Sequence, residues 1–427
     1  MKITISRDFE RNKYWIIALY INITLITRLI SSLFSIITRT SFSRYTSMLQ
    51  WGILILPLGY FFLTVIARGI KKRQLAIITI WAFMMFITRF VTKPQDFLMR
   101  QALVEGISHL VIPAVMIQEV TDAKRMIEQL EKYVGLCTVT CLLQFFTPGL
   151  ARNAYYSFSY ITFFSATICL GHMLKEGSKK DWICFLVISF TNLFYGGRGF
   201  FLCIAVFLAF YTLMYYRKNK TVLALVGLFI LFTIIYTLFG DMILSGLSGL
   251  AGYSRTLAFM SGDRTDNSRL KIWESLMTEF ARSPFKVRGL LSDREYLAVV
   301  FHRYSEKAIA SWYSHNFAVE IIFEFGVFGI FILLYLFGNL NKVYRNLKKE
   351  TDEDRTLLFF LVASLFLGKM SISSSYLIDL TSGIFIGFLL VYRSNAFSIK
   401  NMRHELEMDG PVRSINKNVI DISNSKE

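Results

Sequence analysis

The chain has 427 residues, of which 54% are hydrophobic and 16% aromatic, and its formal net charge is +17. The apolar residues are gathered in long blocks, which excludes a soluble globular protein and predicts an all-α, polytopic integral membrane protein. The basic residues lie mostly between alternate apolar blocks, so the charge reflects membrane topology and anionic lipid rather than nucleic-acid binding. All five cysteines lie inside apolar blocks, and no Cys/His metal spacing occurs, so we predict no structural disulfide and no metal site.

The apolar blocks predict about 12 membrane-spanning helices, with 11 to 13 as the range. They are, in chain order, Tyr14–Ile37, Met48–Ala67, Leu75–Phe90, Phe97–Ile117, Val134–Leu150, Phe158–Met173, Trp182–Tyr195, Phe200–Tyr216, Val222–Phe239, Phe317–Phe337, Leu357–Gly368 and Tyr376–Tyr392. Nine spans therefore occupy residues 14–239 and three occupy residues 317–392. Residues 1–13 precede them, and residues 393–427 form a polar tail that we predict to be mostly disordered.

Lysine and arginine residues follow every even-numbered span. Examples are Lys71 and Lys72 after the second span, Lys124 after the fourth and Lys175 after the sixth. Because short cytoplasmic loops are enriched in basic residues, this pattern places both termini in the cytoplasm. The long polar segment of residues 240–316 is then predicted to lie on the external side of the membrane.

The external segment contains one amphipathic run, residues 268–282, in which apolar side chains recur on one face at helical spacing. Arg269 lies in the middle of that apolar face and in the first turn of the predicted helix. A buried arginine at a helix N-terminus is typical of a phosphate or carboxylate site. The alternative is a snorkelling arginine paired with Asp263 or Asp266, and the pattern leaves both open.

Two predicted spans carry polar stripes, which are costly in a membrane and usually face a bundle interior. In the tenth span, Asn316, Glu320 and Glu324 recur at four-residue spacing, directly after His315. In the fourth span, Gln101, Glu105 and His109 recur in the same way, and the two stripes are placed to face each other. We interpret His315 as functional because it begins a span beside the arginine-rich segment, and His109 as structural.

Three further charged residues lie near the predicted outer ends of spans. Arg198 is flanked by glycines that allow close backbone approach, so it is a second anion-site candidate, or else an arginine that snorkels to the headgroups. Lys369 and Asp379 are expected to pair across the short connection between the last two spans.

Several short motifs resemble those of the bacterial O-antigen polymerase and O-antigen ligase superfamily. They are Gly197-Arg198-Gly199, Ser268-Arg269 with Trp273, Ser283-Pro284 with Gly289, and Ser314-His315-Asn316 followed by Gly326 and Gly329. The many spans and the single large late external loop resemble the same superfamily. The chain departs from the pattern after Pro284, where Gly289-Leu-Leu-Ser stands in place of Gly-x-Gly.

The resemblance implies a membrane-embedded glycosyltransferase of GT-C-like architecture, acting on polyprenyl-diphosphate-linked oligosaccharides at the external face of the cytoplasmic membrane. Arg198, Arg269 and Arg264 would then bind the diphosphate. His315 would act on the attacking hydroxyl, and Glu320 would be the alternative base or would orient His315. Asn316, Glu324 and Glu105 would support the site. We expect no cofactor, a metal-independent and inverting reaction, and a chain-length regulator as a possible partner.

The resemblance favours a polymerase of O-antigen or capsule repeat units, because the loop motifs are irregular. The alternative within the superfamily is a ligase that transfers finished polysaccharide to lipid A core. From another class, a lipid-linked oligosaccharide flippase or other transporter fits 12 spans with both termini inside. The two halves of the chain show no similarity to each other, which argues against that transporter.

Overall fold

The computed structural model describes residues 7–38, 43–92, 94–146, 155–176, 178–195, 199–215, 268–302, 304–350 and 352–393. Within these ranges the fold is helical and contains no strand. The helices are α1 (Arg7–Ile21), α2 (Ile23–Thr38), α3 (Ser43–Arg68), α4 (Lys72–Ile87), α5 (Asp96–Glu105), α6 (Ile112–Met116), α7 (Ala123–Gln144), α8 (Tyr155–Ile161), α9 (Phe163–Glu176), α10 (Lys179–Tyr195), α11 (Gly199–Tyr215), α12 (Ser268–Arg282), α13 (Ser292–Val300), α14 (Glu306–Ser311), α15 (Phe317–Phe325), α16 (Val327–Leu347), α17 (Glu353–Met370) and α18 (Leu380–Arg393).

Four helical stretches in the described residues are long and apolar enough to cross a membrane: Met48–Ile66, Lys72–Phe90, Asp96–Glu119 and Val327–Leu347. A fifth results if the bent pair Asn12–Ile21 and Ile23–Thr38 counts as one span. The outer faces of α3, α4 and α16 expose large apolar side chains such as Phe62, Phe83 and Phe331. Such faces suit contact with lipid tails, so the chain is a membrane protein.

Helix α17 lies at the centre of the core. Most of its side chains are buried, and it packs against α7, α9, α11 and α18. Aromatic side chains fill these contacts, as in the stacked rings of Phe366 and Phe385, whose centroids are 4.0 Å apart. At Gly368 there is no room for a side chain, because an added Cβ would lie 2.5 Å from the sulfur of Cys203 on α11. The last turn of α17 and the loop after it are thereby held at a fixed position.

The predicted tenth span, residues 317–337, is broken into α15 and α16 at Gly326. Gly326 has φ 62° and ψ −142°, a conformation that L side chains rarely adopt, and helix geometry cannot continue through it. The backbone N–H of Val327 instead donates to the carbonyl oxygen of Pro284 at 2.8 Å. Glu320 and Glu324 therefore lie on the short helix α15, outside the long apolar helix α16.

Other predicted spans also have different bounds in the structure: the fifth lies on α7, which begins at Ala123, and the sixth is divided between α8 and α9. The first is bent by 63° between α1 and α2, next to the buried residue Asn22. The twelfth begins at Leu380 rather than Tyr376, because Ser371 to Asp379 form turns whose polar groups bond to other parts of the chain. The predicted ninth span, residues 222–239, and the tail after residue 393 lie outside the described residues.

Candidate active site

Helix α12 has the predicted bounds of the amphipathic run, Ser268–Arg282. It buries Ile272 and Leu276 in a small apolar cluster with Leu297 of α13 and Phe323 of α15. This packing fixes the first turn of α12 over the loop that follows α17. There the Nη1 atom of Arg269 donates a hydrogen bond to the carbonyl oxygen of Ile372 at 2.5 Å. Asp263 and Asp266, the alternative partners of Arg269, lie outside the described residues.

The segment Ser314-His315-Asn316 is anchored on both sides. The indole Nε1 of Trp273 donates to the carbonyl oxygen of Ser314 at 2.7 Å. The Oδ1 atom of Asn316 accepts from the backbone N–H groups of residues 318 and 319, at 2.9 and 3.2 Å, so Asn316 caps helix α15. His315 itself has φ 55°, in the left-handed region, and its ring centroid lies 4.0 Å from that of Tyr313. This uncommon backbone conformation is held by the contacts on either side of it.

Three buried carboxylates lie close together behind this segment: Asp293 of α13, and Glu320 and Glu324 of α15. None of the three is exposed to solvent, and each has a carboxylate oxygen within 4.8 Å of one from the others. We call these three residues the carboxylate cluster. Charged carboxylates this close together repel each other, so the cluster is expected to hold protons or a cation.

The loop between α17 and α18 supplies most of the hydrogen bonds to the cluster. Glu320 accepts from the hydroxyl of Ser375 at 2.5 Å and from the backbone N–H of Tyr376 at 3.2 Å. Glu324 accepts from the hydroxyl of Tyr376 at 2.5 Å and from the backbone N–H of Leu291 at 2.5 Å. Both oxygens of Glu320 are thus occupied by this loop, and the described structure gives no hydrogen bond by which Glu320 would orient His315.

Asp293 connects the cluster to the histidine segment. Its Oδ2 atom accepts from the backbone N–H of Ser314 at 2.9 Å, while its buried Oδ1 atom has no hydrogen-bond partner among the described residues. Five of the six carboxylate oxygens therefore already accept a hydrogen bond from the protein. Hard divalent cations prefer six or more oxygen ligands, so this arrangement suits shared protons better than a metal ion.

Burial controls the ionisation of the cluster. It raises the pKa of Asp293, against the opposing positive charge of Arg294. It also raises the pKa of Glu320 to about 8, with the negative charge of Asp293 acting in the same direction. The effect arises because the packed interior is less polar than water and disfavours the charged carboxylate. The carboxyl of Glu320 is mostly protonated at neutral pH.

Arg294 provides the positive charge beside the cluster. It is fully buried, and its Nη1 atom donates to the carbonyl oxygen of Ala310 at 2.6 Å. Its guanidinium carbon lies 5.6 Å from the ring centroid of Tyr313. The Nε and Nη2 atoms have no hydrogen-bond partner in the part of the chain that the structure describes. The guanidinium is therefore a fixed positive charge inside the packed protein, beside Asp293.

The structure brings some of the predicted residues together and leaves others apart. Arg269, His315 and Glu320 lie on or beside one set of loops, whereas Arg198 and Arg264 lie outside the described residues. The carboxylate of Glu105 accepts from Gln101 of its own helix, at 3.1 and 3.2 Å, and is not part of the carboxylate cluster. No contact between the two polar stripes is described.

The predicted pair of Lys369 and Asp379 is confirmed, with 2.6 Å between the Nζ and Oδ2 atoms. The hydroxyl of Ser374 also donates to Asp379 at 2.6 Å. This ion pair closes the loop between α17 and α18, which supplies Ser375 and Tyr376 to the cluster. The ion pair therefore helps to hold Ser375 and Tyr376 in position at the cluster.

The sequence patterns did not assign Asp293, Arg294, Ser375 or Tyr376 to the site. Asp293 and Arg294 follow a left-handed residue, Leu291 with φ 59°, and in the sequence they resemble ordinary charged residues of an external loop. The polar run Ser371 to Ser375 between two apolar blocks was the available signal for the loop. Nothing in the sequence indicated that the loop folds onto α15.

A family model described as O-antigen ligase matches residues 183–334, which include Arg198, α12, Asp293 and the histidine segment. No curated protein and no solved structure matches the chain. The match covers less than half of the chain, and it supports the O-antigen ligase and polymerase superfamily without separating its two activities.

Proposed function

We propose that the protein is a membrane glycosyltransferase that joins polyprenyl-diphosphate-linked oligosaccharide repeat units into a surface polysaccharide. The observation that carries this proposal is that Arg294 and His315 lie against the ring of Tyr313 within the matched residues 183–334. The hydroxyl of Tyr313 donates to the carbonyl oxygen of Ser373, next to the carbonyl of Ile372 to which Arg269 donates. Glycosyl transfer would take place on the external face of the cytoplasmic membrane, with both termini in the cytoplasm. A chain-length regulator is a candidate partner.

In the proposed reaction, a hydroxyl of the acceptor sugar attacks the anomeric carbon of the donor. The new bond joins the acceptor oxygen to that carbon, the bond from that carbon to the phosphate oxygen breaks, and the lipid diphosphate leaves with the electron pair. The hydroxyl proton passes to His315. Direct displacement of this kind inverts the anomeric configuration.

Arginine side chains would stabilise the negative charge that develops on the diphosphate. Arg269 would bind it from the first turn of α12, and Arg198 and Arg264 are proposed to join it there. Arg294 is fully buried beside Asp293, so it would act on this charge only at a distance. Preorganised donors of this kind lower a barrier without reorganising during the reaction.

The carboxylate cluster would act on His315 through the backbone rather than through a side chain. Asp293 bonds to the N–H of Ser314, and Trp273 bonds to the carbonyl of the same residue. The two contacts fix the residue that precedes His315. We therefore propose His315 as the base, with Glu320 as a structural residue whose raised pKa suits a protonated form in the packed site.

A ligase is the second candidate, because the matching family is described as O-antigen ligase. A ligase would use the same donor and the same arginines and would differ in the acceptor, the lipid A core. The irregular glycine pattern after Pro284 is what favours the polymerase.

The test uses purified protein in nanodiscs with a synthetic polyprenyl-diphosphate-linked oligosaccharide, a chelator and no nucleotide. We expect a ladder of products on a gel, spaced by one repeat unit. Transfer only after lipid A core is added would make the protein a ligase. No product with either acceptor, or product only when the chelator is replaced by a divalent metal, would overturn the proposed mechanism. A retained linkage, determined by NMR, would overturn direct displacement.

A further inference from the structure

A polar cavity of about 640 Å³ lies at the other end of the bundle from the carboxylate cluster. Its walls are the first turns of α7 and α17 and the last turns of α9 and α11. Helix α17 runs from Glu353, in the cavity wall, to Met370, just before the loop that bonds to the cluster. Eighteen helical residues span about 27 Å, so the cavity is separate from the candidate active site.

The cavity has an excess of negative charge. Two of its carboxylates are paired: Glu353 with Lys175 at 2.9 Å, and Glu131 with the Nε2 atom of His172 at 3.1 Å. Two others, Glu128 and Asp354, line the cavity and have no ion pair within 4.0 Å among the described residues. The wall thus holds four carboxylates against two lysines, Lys124 and Lys175, and the imidazole of His172. The lining is therefore short of positive charge.

Aromatic side chains also line the cavity. Tyr211 and Tyr215 of α11 both line it, with ring centroids 4.8 Å apart, and Phe360 of α17 lies in the same wall. Cations bind favourably over such ring faces, and organic ammonium groups do so at low desolvation cost. Tyrosine rings and carboxylates that line the same cavity are therefore typical of sites for organic amines.

A bare metal ion fits these observations less well. Among the described residues, the carboxylates that approach each other closely enough to share one ion are those of the carboxylate cluster, and none of them lines this cavity. The volume lies in the range of small-molecule sites, far above that of one ion. We propose that this cavity binds a linear polyamine, with separate ammonium groups at Glu128 and Asp354 and its methylene chain against Tyr211 and Tyr215.

The experiment titrates spermidine into the full-length protein in nanodiscs and measures binding by calorimetry, with the shift in melting temperature as a second readout. Magnesium chloride at matched ionic strength is the control for charge screening. We expect saturable binding of spermidine that magnesium does not displace. Equal stabilisation by magnesium, or no saturable binding, would overturn the proposal. The measurement needs no enzyme activity, so its outcome is independent of the proposed function.

Variants with opposite expected effects make the test sharper. The double change Glu128→Gln with Asp354→Asn is expected to weaken spermidine binding roughly tenfold, because two charge-assisted contacts are lost. Lys124→Gln removes the opposing cation and is expected to tighten binding about threefold. Glu274→Gln, on the exposed face of α12, is the matched control and is expected to change nothing. Unchanged binding in both cavity variants would rule out the site.

Discussion

At the scale of single residues, Arg269 is held in place by a hydrogen bond and is still partly accessible to solvent. Its one described hydrogen bond is to a backbone carbonyl. The other N–H donors of its guanidinium are left for a ligand. The nearby Arg282, at the other end of α12, is 72% exposed and pairs weakly with Glu279 at 3.8 Å. The two arginines share a helix and differ in their surroundings, so they make a matched pair.

We predict that Arg269→Ala lowers the rate of glycosyl transfer by about 100-fold or more, because a preorganised contact to the leaving diphosphate is lost. Arg269→Lys should recover only part of the rate, since a lysine cannot make a bidentate contact. Initial rates of ladder formation, at equal amounts of inserted protein, measure both effects. Arg282→Ala should transfer glycosyl units at the same rate as the protein without substitutions. Equal losses at the two positions would argue for a general effect of charge on the loop.

The raised pKa of Glu320 predicts how stability depends on pH. A carboxyl whose pKa is about 8 in the folded protein and about 4.3 when unfolded binds its proton more tightly when folded. The contribution of Glu320 to stability is complete below the pKa of the unfolded chain. It is lost as the pH rises through the pKa of the folded protein. We therefore predict that the melting temperature falls between about pH 5 and pH 8.5.

Glu320→Gln, which stays uncharged, should flatten this pH dependence of the melting temperature, while Glu274→Gln should leave it unchanged. Differential scanning fluorimetry across the pH series measures the slope. A slope that survives the Glu320 change would mean that other groups carry the effect.

At the scale of helices, the break at Gly326 decides where the carboxylates lie. An unbroken helix would place Glu320 and Glu324 along one face of a membrane span. The break instead folds α15 against the first turns of α16, and an added Cβ at Gly329 would meet the carbonyl oxygen of Ile321 at 2.3 Å. The two glycines thus let α15 carry its acidic side chains toward α13 and the loop after α17.

We predict that Gly326→Ala destabilises the protein by about 1 to 3 kcal/mol, because a non-glycine residue is strained at this φ. The added Cβ would also lie 2.4 Å from the carbonyl oxygen of Pro284. The control is Gly338→Ala on α16, where nothing lies within 4 Å of the added Cβ and alanine favours the helix. Thermal unfolding of both variants in nanodiscs measures the difference. If the two variants melt alike, the break does not constrain the fold.

At the scale of the whole molecule, the position of α12 relative to the bilayer decides whether lipid-linked sugars can reach Arg269 from outside. The basic residues after the even-numbered spans predict that α12 is external and that the end of α16 is cytoplasmic. The five native cysteines are buried within the helices, so they interfere little with thiol labelling.

We predict that a cysteine introduced by Glu274→Cys on α12 reacts with a membrane-impermeant maleimide in intact cells. A cysteine introduced by Lys348→Cys, after α16, should react only after the membrane is permeabilised, since both positions are exposed in the fold. The fraction labelled, read on a gel, measures the topology. The reverse pattern would put Arg269 and His315 in the cytoplasm and would remove the external polymerase from consideration.

The sequence by itself determined the helical membrane class, the amphipathic helix α12 and the pairing of Lys369 with Asp379. These features depend on hydropathy, helical periodicity and short-range spacing, all of which are local properties of the chain. Only the tertiary structure decided that Asp293, Glu320 and Glu324 meet, and that Ser375 and Tyr376 bind them. Those residues come from separate helices and a loop, and a turn at one glycine brings them together. No periodic pattern records contacts over such sequence distances, because they arise from how helices pack.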